Sequence, residues 1–149
     1  MTTINLTTKI NATKQIVFDA SRSIDIHQKS ASKTNELAVA GITFGLINHN
    51  ETVTWRGKHF GFYLTHKSRI TAMVFYNYFV DEMEEGKFKT FKHQHFFEET
   101  NGVTTMTDKL QYETPFGGIG KLFDFLFLKK HLTFFLLERN KVLKAVSEN

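Results

Sequence analysis

From Lys121 to Asn149 the chain runs without a proline or a glycine. A stretch of that length is one helix of about seven turns. Leu122, Phe125, Leu126, Leu132, Phe135, Leu136, Leu143 and Val146 recur along it at three- and four-residue steps. Such a helix carries a broad apolar side that needs a surface to lie against. The region from Ile119 to Leu137 is the most apolar of the chain, yet Lys121, Asp124, Lys129, Lys130 and His131 interrupt it. A membrane span tolerates few such groups, which predicts a buried helix and no stable membrane insertion. The rest of the chain has the patterning of strands. The expected architecture is a sheet wrapped around this helix.

A chain of 149 residues is expected to form a single domain over 1–149, with a core that needs no disulfide or metal to support it. There is no cysteine, which excludes disulfides, iron–sulfur clusters and thiolate zinc. The N-terminus, Met1 to Gln15, lacks the apolar core of a signal peptide, so a cytoplasmic location is expected. The net charge of +4 arises from basic residues scattered among acids, not from a stripe or an arm. No nucleic-acid partner is therefore expected. A monomer and a homodimer both fit. The sixteen phenylalanines point to an interior lined by large, rigid rings.

Ile4, Leu6, Thr8 and Ile10 alternate with polar residues and predict a half-buried first strand. Asn11 or Thr13 caps a short helix carrying Ile16, Val17 and Ala20. Asp25 and Gln28 have capping-box spacing for a second short helix. Lys29 to Asn35 is polar and irregular, a candidate lid. Strands are then expected at Thr43–Asn48, Thr52–Phe60, Thr65–Phe75, Tyr78–Glu84, Phe88–Glu99 and Val103–Thr114. Val53, Trp55, Gly57 and His59 share one face of their strand, and Ser68, Ile70, Ala72 and Val74 one face of the next. Two- and three-residue turns around Glu85-Gly86 give opposite faces, and both remain open. Thr114-Pro115 predicts an N-cap and a first helical position.

Asn101-Gly102 between two strands predicts a two-residue hairpin that pairs Thr100 with Val103. Counting outward, Phe97 meets Met106, His95 meets Asp108, His93 meets Leu110 and Phe91 meets Tyr112. These four pairs share a face, because side chains alternate. That inward face holds three groups that are costly to bury: His93, His95 and Asp108.

His95 and Asp108 are the candidate catalytic residues. They could act as an acid/base couple, orient a ligand carbonyl, or satisfy each other within a polar patch of the core. His93-x-His95 with Glu99 has the look of a cupin metal motif. Its spacing from Gly86 is one residue too long, however, and no histidine follows Gly117 at the matching place. No metal and no cofactor are expected. Gly117-Gly118-x-Gly120 lacks a P-loop lysine and hydroxyl, and close packing of the helix start accounts for it. His49, His66 and His131 are assigned no role.

The order strand, two short helices, six strands, long helix is that of an α+β helix-grip fold. The residues also resemble the bacterial SRPBCC group (START-like, polyketide cyclase/dehydrase-like). The resemblance rests on Ile24 to Ser30, Glu36 to Gly41, Glu51 to Gly61, Phe79 to Met83, Gly86 to Phe88, His93 to Phe96, Thr105 to Asp108, Tyr112, the Gly117–Gly120 turn and Arg139-Asn140. It implies a curved antiparallel sheet of about seven strands gripping the helix, with a cavity between them for an apolar or aromatic ligand. Binding of a small lipid-like, aromatic or polyketide-like molecule is the expected function. The alternative is a cofactor-free cyclase, dehydratase or hydrolase. Facing places Trp55, His59, Phe91, His93, His95, Met106, Asp108 and Tyr112 in the ligand wall. Phe123, Leu126 and Phe127 supply the helix side, and His27 is a possible lid.

Overall fold

The turn at Asn101-Gly102 sets the frame of the sheet. In the computed structural model, which describes all 149 residues, both turn residues have positive φ (50° and 78°), the conformation of a primed two-residue hairpin. Strands β6 (Thr90–Thr100) and β7 (Val103–Glu113) then pair as the turn dictates, with Phe97 opposite Met106, His95 opposite Asp108 and Phe91 opposite Tyr112. Strand β1 (Thr2–Ile10) adds to the free side of β7. On the other side follow β5 (Tyr78–Glu85), β4 (Phe62–Val74), β3 (Thr52–His59) and β2 (Leu37–Gly41). One antiparallel sheet of seven strands results, in the order β1-β7-β6-β5-β4-β3-β2. Helices α1 (Lys14–Ser21) and α2 (Ile24–Ser30) carry the chain from one sheet edge to the other.

The C-terminal helix has three parts: α3 (Gly117–Phe123), a π-helical turn (Asp124–Leu128) and α4 (Lys129–Ser147). It spans 31 residues, and with the sheet it makes the helix-grip fold. Leu136, Arg139, Asn140, Leu143 and Ser147 are the buried side of α4. The main core gathers around Phe18 of α1, whose ring lies 5.2–5.4 Å from those of Phe75, Tyr76, Phe79 and Phe97. A smaller cluster of Ile4, Leu110, Tyr112 and Leu136 lies further along the helix. No helix is long and apolar enough to cross a membrane.

Several local expectations are corrected. The strand is Leu37–Gly41, not Thr43–Asn48. The latter is an irregular loop holding one bridge, Leu46 to Ser23. Gly41 has φ +72°, and a Cβ there would lie 2.2 Å from the Thr52 carbonyl oxygen, so the chain turns away just after β2. The register of β4 against β5 slips between Ile70 and Ala72. Beyond that bulge Met73 packs on the core and Val74 is exposed, the reverse of strict alternation. The cap of α2 is Ser23, accepting from the Ile26 amide, while Asp25 accepts from Gly45 and Gln28 from Ala38. The stretch expected as a lid contains the end of α2 and a 3-10 turn, Ser32–Thr34. Phe116, not Thr114, precedes the first turn of α3.

The most apolar region is not a buried helix along its length. Phe125 is 78% exposed and Leu122 59%. Asp124 and Gly120 face inward in their place. The π turn inserts one residue and so rotates α3 out of phase with α4.

Candidate functional site

A cavity of about 540 Å³ lies between the concave face of the sheet and the C-terminal helix. Val53, Ile70 and Leu110 line it from the sheet, and Leu132, Phe135 and Leu136 from the helix. Of the expected residues, Trp55, His59, Phe91, His93, His95 and Phe123 border this space, as does His27 from α2. Met106, Asp108, Tyr112, Leu126 and Phe127 do not border it. Met106 is sealed within the core around Phe18, close to Ser21. Tyr112 donates to Asp124 Oδ1 at 2.5 Å, and Thr2 donates to the other oxygen of the same carboxylate. Burial, and then that pairing, push the Tyr112 hydroxyl far above its usual range. Tyr112 thus fastens the helix start to the sheet. Leu126 and Phe127 face outward, carried there by the π turn.

Asp108 is 0% exposed and belongs to a different network from the one its cross-strand position suggests. His93 Nε2 lies 2.9 Å from its Oδ1, and Arg139 donates to the same oxygen at 3.3 Å. Asn140 donates to Oδ2 at 2.8 Å. Burial alone would raise this carboxyl, but His93, His95 and the Arg139 guanidinium outweigh it and hold it well below the usual carboxylate range. Asp108 is therefore an ionised anchor between sheet and helix. The expectation that it sits in the ligand wall as an acid/base partner is corrected. Arg139 and Asn140 reach it across the helix–sheet gap, from a helix side whose expected contributors were Phe123, Leu126 and Phe127.

His95 turns instead to Asp81 on β5, with Nε2 2.8 Å from Oδ2. Its Nδ1 lies 3.2 Å from Asp108 Oδ1 without the geometry of a hydrogen bond, and that nitrogen is buried and unpartnered. The His93 and His95 rings are 3.8 Å apart. Asp81 faces the cavity, with a side chain 22% exposed. Burial opposes its ionisation, yet the bond to His95 and the neighbouring imidazoles bring it down to about 2.

A second polar group also borders the cavity. His59 Nδ1 is 2.9 Å from His131 Nε2, and its Nε2 is 3.3 Å from Glu36 Oε2. That Glu36 oxygen is buried without a hydrogen bond. The backbone yields to it, because a Cβ on Gly57 would lie 1.7 Å from the same oxygen. Phe60, at φ 51° in the β3–β4 turn, lays its ring 4.6 Å from that of His131 and 5.2 Å from that of Phe123. His27 packs against Trp55 with ring centres 4.2 Å apart, and burial lowers it from 6.5 to about 4. Every histidine except His49 borders the cavity.

The residues missed from sequence are Asp81, Glu36, His66, His131 and Arg139. Asp81 follows from the β5–β6 register, Asp81 opposite His93, which the open turn at Glu85-Gly86 left undecided. Arg139 and Asn140 follow from helix phase. Glu36 precedes the strand that was placed too late.

No family model matches this sequence, and no curated protein matches it. Solved structures do. The protein TTHA0849 from Thermus thermophilus is 15% identical and superposes with a TM-score of 0.75 over 97% of this chain and 95% of that one. A START superfamily protein from Mycobacterium smegmatis is 11% identical, with a TM-score of 0.73 over 98% of this chain and 97% of that one. The ginseng major latex-like protein 151 from Panax ginseng is 15% identical, with a TM-score of 0.68 over 99% and 98%. At such identities the likeness establishes the fold.

Proposed function

We propose that this protein binds a small, largely apolar molecule with at least one polar oxygen in the cavity between the sheet and the C-terminal helix. The observation that carries the reading is the cavity itself. It is a largely apolar space of about 540 Å³ with two clusters of polar side chains on its wall, Asp81–His93–His95 and Glu36–His59–His131. Pockets for small molecules have this make-up, with apolar walls for affinity and few placed polar groups for orientation. The volume suits a ligand of lipid, aromatic or polyketide size. The resemblance to the SRPBCC group and the shared fold of a START superfamily protein support the same reading.

Native mass spectrometry of freshly purified protein, followed by extraction of bound material, tests it. A stoichiometric apolar adduct is expected, or micromolar binding of a fluorescent fatty acid. Leu132→Trp, which narrows the cavity from the helix side, is expected to weaken that binding at least tenfold with an unchanged far-UV spectrum. Absence of both an adduct and probe binding would defeat the reading.

One observation favours a second reading. Asp81 and His95 form a hydrogen-bonded acid/base pair facing the cavity, as a cofactor-free cyclase or dehydratase needs. With a turned-over substrate, His95→Gln then abolishes the pH–rate dependence. Unchanged turnover in that variant sinks this reading.

A further inference from the structure

We propose that Asp81, His93 and His95 form a binding site for a divalent first-row metal ion at the polar floor of the cavity. One donor atom from each lies within 4.8 Å of the other two. Two imidazoles and one carboxylate suit zinc, iron, cobalt or manganese, and leave coordination positions open. His95 Nε2 and Asp81 Oδ2 are 2.8 Å apart. Two neighbouring ligands of an ion bound at about 2.1 Å sit about 3.0 Å apart in octahedral and about 3.4 Å apart in tetrahedral geometry, so this pair needs to part by about half an ångström or less.

Three further observations support the site. Asp108 holds His93 Nε2 at 2.9 Å and is itself fixed by Arg139 and Asn140. A ligating histidine is commonly oriented in this way by a carboxylate on its other nitrogen, and here Nδ1 of His93 is left free.

The unpartnered Nδ1 of His95 is the second observation. Its Nε2 lies 2.8 Å from Asp81 Oδ2 and its Nδ1 3.2 Å from Asp108 Oδ1, so the ring spans two carboxylates. A metal ion on Nε2 places the proton of the neutral imidazole on Nδ1, the side of the ring that lies toward Asp108 Oδ1. Asp81 exchanges its hydrogen bond for a bond to the metal.

Charge is the third. Asp81 and Asp108 bring two negative charges to the cluster, and Arg139 returns one. Asp81 has no lysine or arginine partner, so a bound cation would satisfy its carboxylate. Asp81 opens onto the cavity, so an oxygen of a bound molecule could complete the coordination. Glu99, which the sequence pairs with this motif, plays no part; it accepts from the Lys14 amide at the far end of β6. The metal site does not depend on the identity of any organic ligand.

The test uses the full-length protein without a histidine tag, stripped with a chelator and titrated with Co²⁺ and with Zn²⁺. One equivalent is expected to remain bound through gel filtration, with visible Co²⁺ absorption of low coordination number. His93→Ala and Asp81→Ala are each expected to weaken binding more than tenfold. His49→Gln, at the one histidine away from the cavity, leaves it unchanged. Circular dichroism checks that each variant is folded, and Asp81→Asn serves where Asp81→Ala is not. Two results overturn the proposal. One is no stoichiometric binding of either ion. The other is binding that survives His93→Ala and Asp81→Asn in folded protein, which would place the ion elsewhere.

Discussion

Trp55 is the only tryptophan of the chain, and His27 lies against it. Its fluorescence should therefore report the charge on that imidazole. Burial is the main reason that His27 is lowered from 6.5 to about 4, with Arg139 next. Between these values the unfolded chain takes up a proton that the folded protein refuses, so stability falls as the pH drops from about 6.5 toward 4. The full interval corresponds to at most about 3 kcal/mol. Between pH 7 and pH 5 the expected loss from this group is about 2 kcal/mol. His27 borders a cavity that water can enter, which reduces the figure to about 1 kcal/mol. His66, His93 and His131 are also lowered by burial and act in the same direction. Asp81 acts only below about pH 4, because its stabilisation is lost as the pH falls toward its value of about 2. Urea unfolding at pH 7 and pH 5 in wild type and in His27→Gln isolates His27. The variant should lose about 1 kcal/mol less than wild type. Tryptophan quenching should have a midpoint near 4, below the onset of quenching expected for a free imidazole. A midpoint near 6.5, or the same pH dependence in both proteins, refutes the argument.

Arg139→Met leaves Asp108 buried without its guanidinium and is expected to cost about 3–5 kcal/mol in urea unfolding. Gly57→Ala drives a Cβ into Glu36 Oε2; combination with Glu36→Ala should recover about 1 kcal/mol or more, measured as coupling in a double-mutant cycle. Phe18→Ala should cost about 3–5 kcal/mol, whereas Phe125→Ser should change stability by less than about 0.5 kcal/mol, since one ring is fully buried and the other exposed.

Strand pairing was legible where a local signal fixed the register. Asn101-Gly102 sets the whole β6–β7 ladder, because a two-residue turn leaves no freedom in the count. The next turn has no such signal, and Asp81 was lost with it although it faces His93 directly. Strand β2 was missed for another reason. It is an edge strand with Leu37, Val39, Ala40 and Gly41 all exposed, so it has no buried face to produce alternation. The polar face of the hairpin was also legible, but not which partner each group would choose. His95 stands opposite Asp108, yet the hydrogen bonds run on the diagonals, His93 to Asp108 and His95 to Asp81. Arg139 and Asn140 decide between these, and they arrive from a helix whose phase no strand count contains.

That phase is the most consequential feature of the C-terminal helix. The buried positions of α4 step back from Leu143 through Leu136 at helical spacing. Continued without interruption, the steps reach Phe125 and Leu122, the residues whose spacing predicts a core-facing stripe. The π turn adds one residue, and the inward set becomes Asp124 and Gly120. Only this shifted set fits what lies beneath. Asp124 meets Tyr112 and Thr2, and Gly120 passes the Pro115 carbonyl where a Cβ would lie 1.9 Å away. A phenylalanine at either place would fill the space between helix and sheet. Deletion of Leu126 removes the extra residue and should restore α phase across the turn. The expected result is release of Asp124 from Tyr112, seen as a Tyr112 hydroxyl that titrates nearer its ordinary value, together with a loss of probe binding as Phe125 swings into the cavity end. Stability should fall by about 1–3 kcal/mol, the cost of leaving a buried hydroxyl unpaired. If the deletion variant binds the probe as wild type does, the π turn does not hold the cavity open.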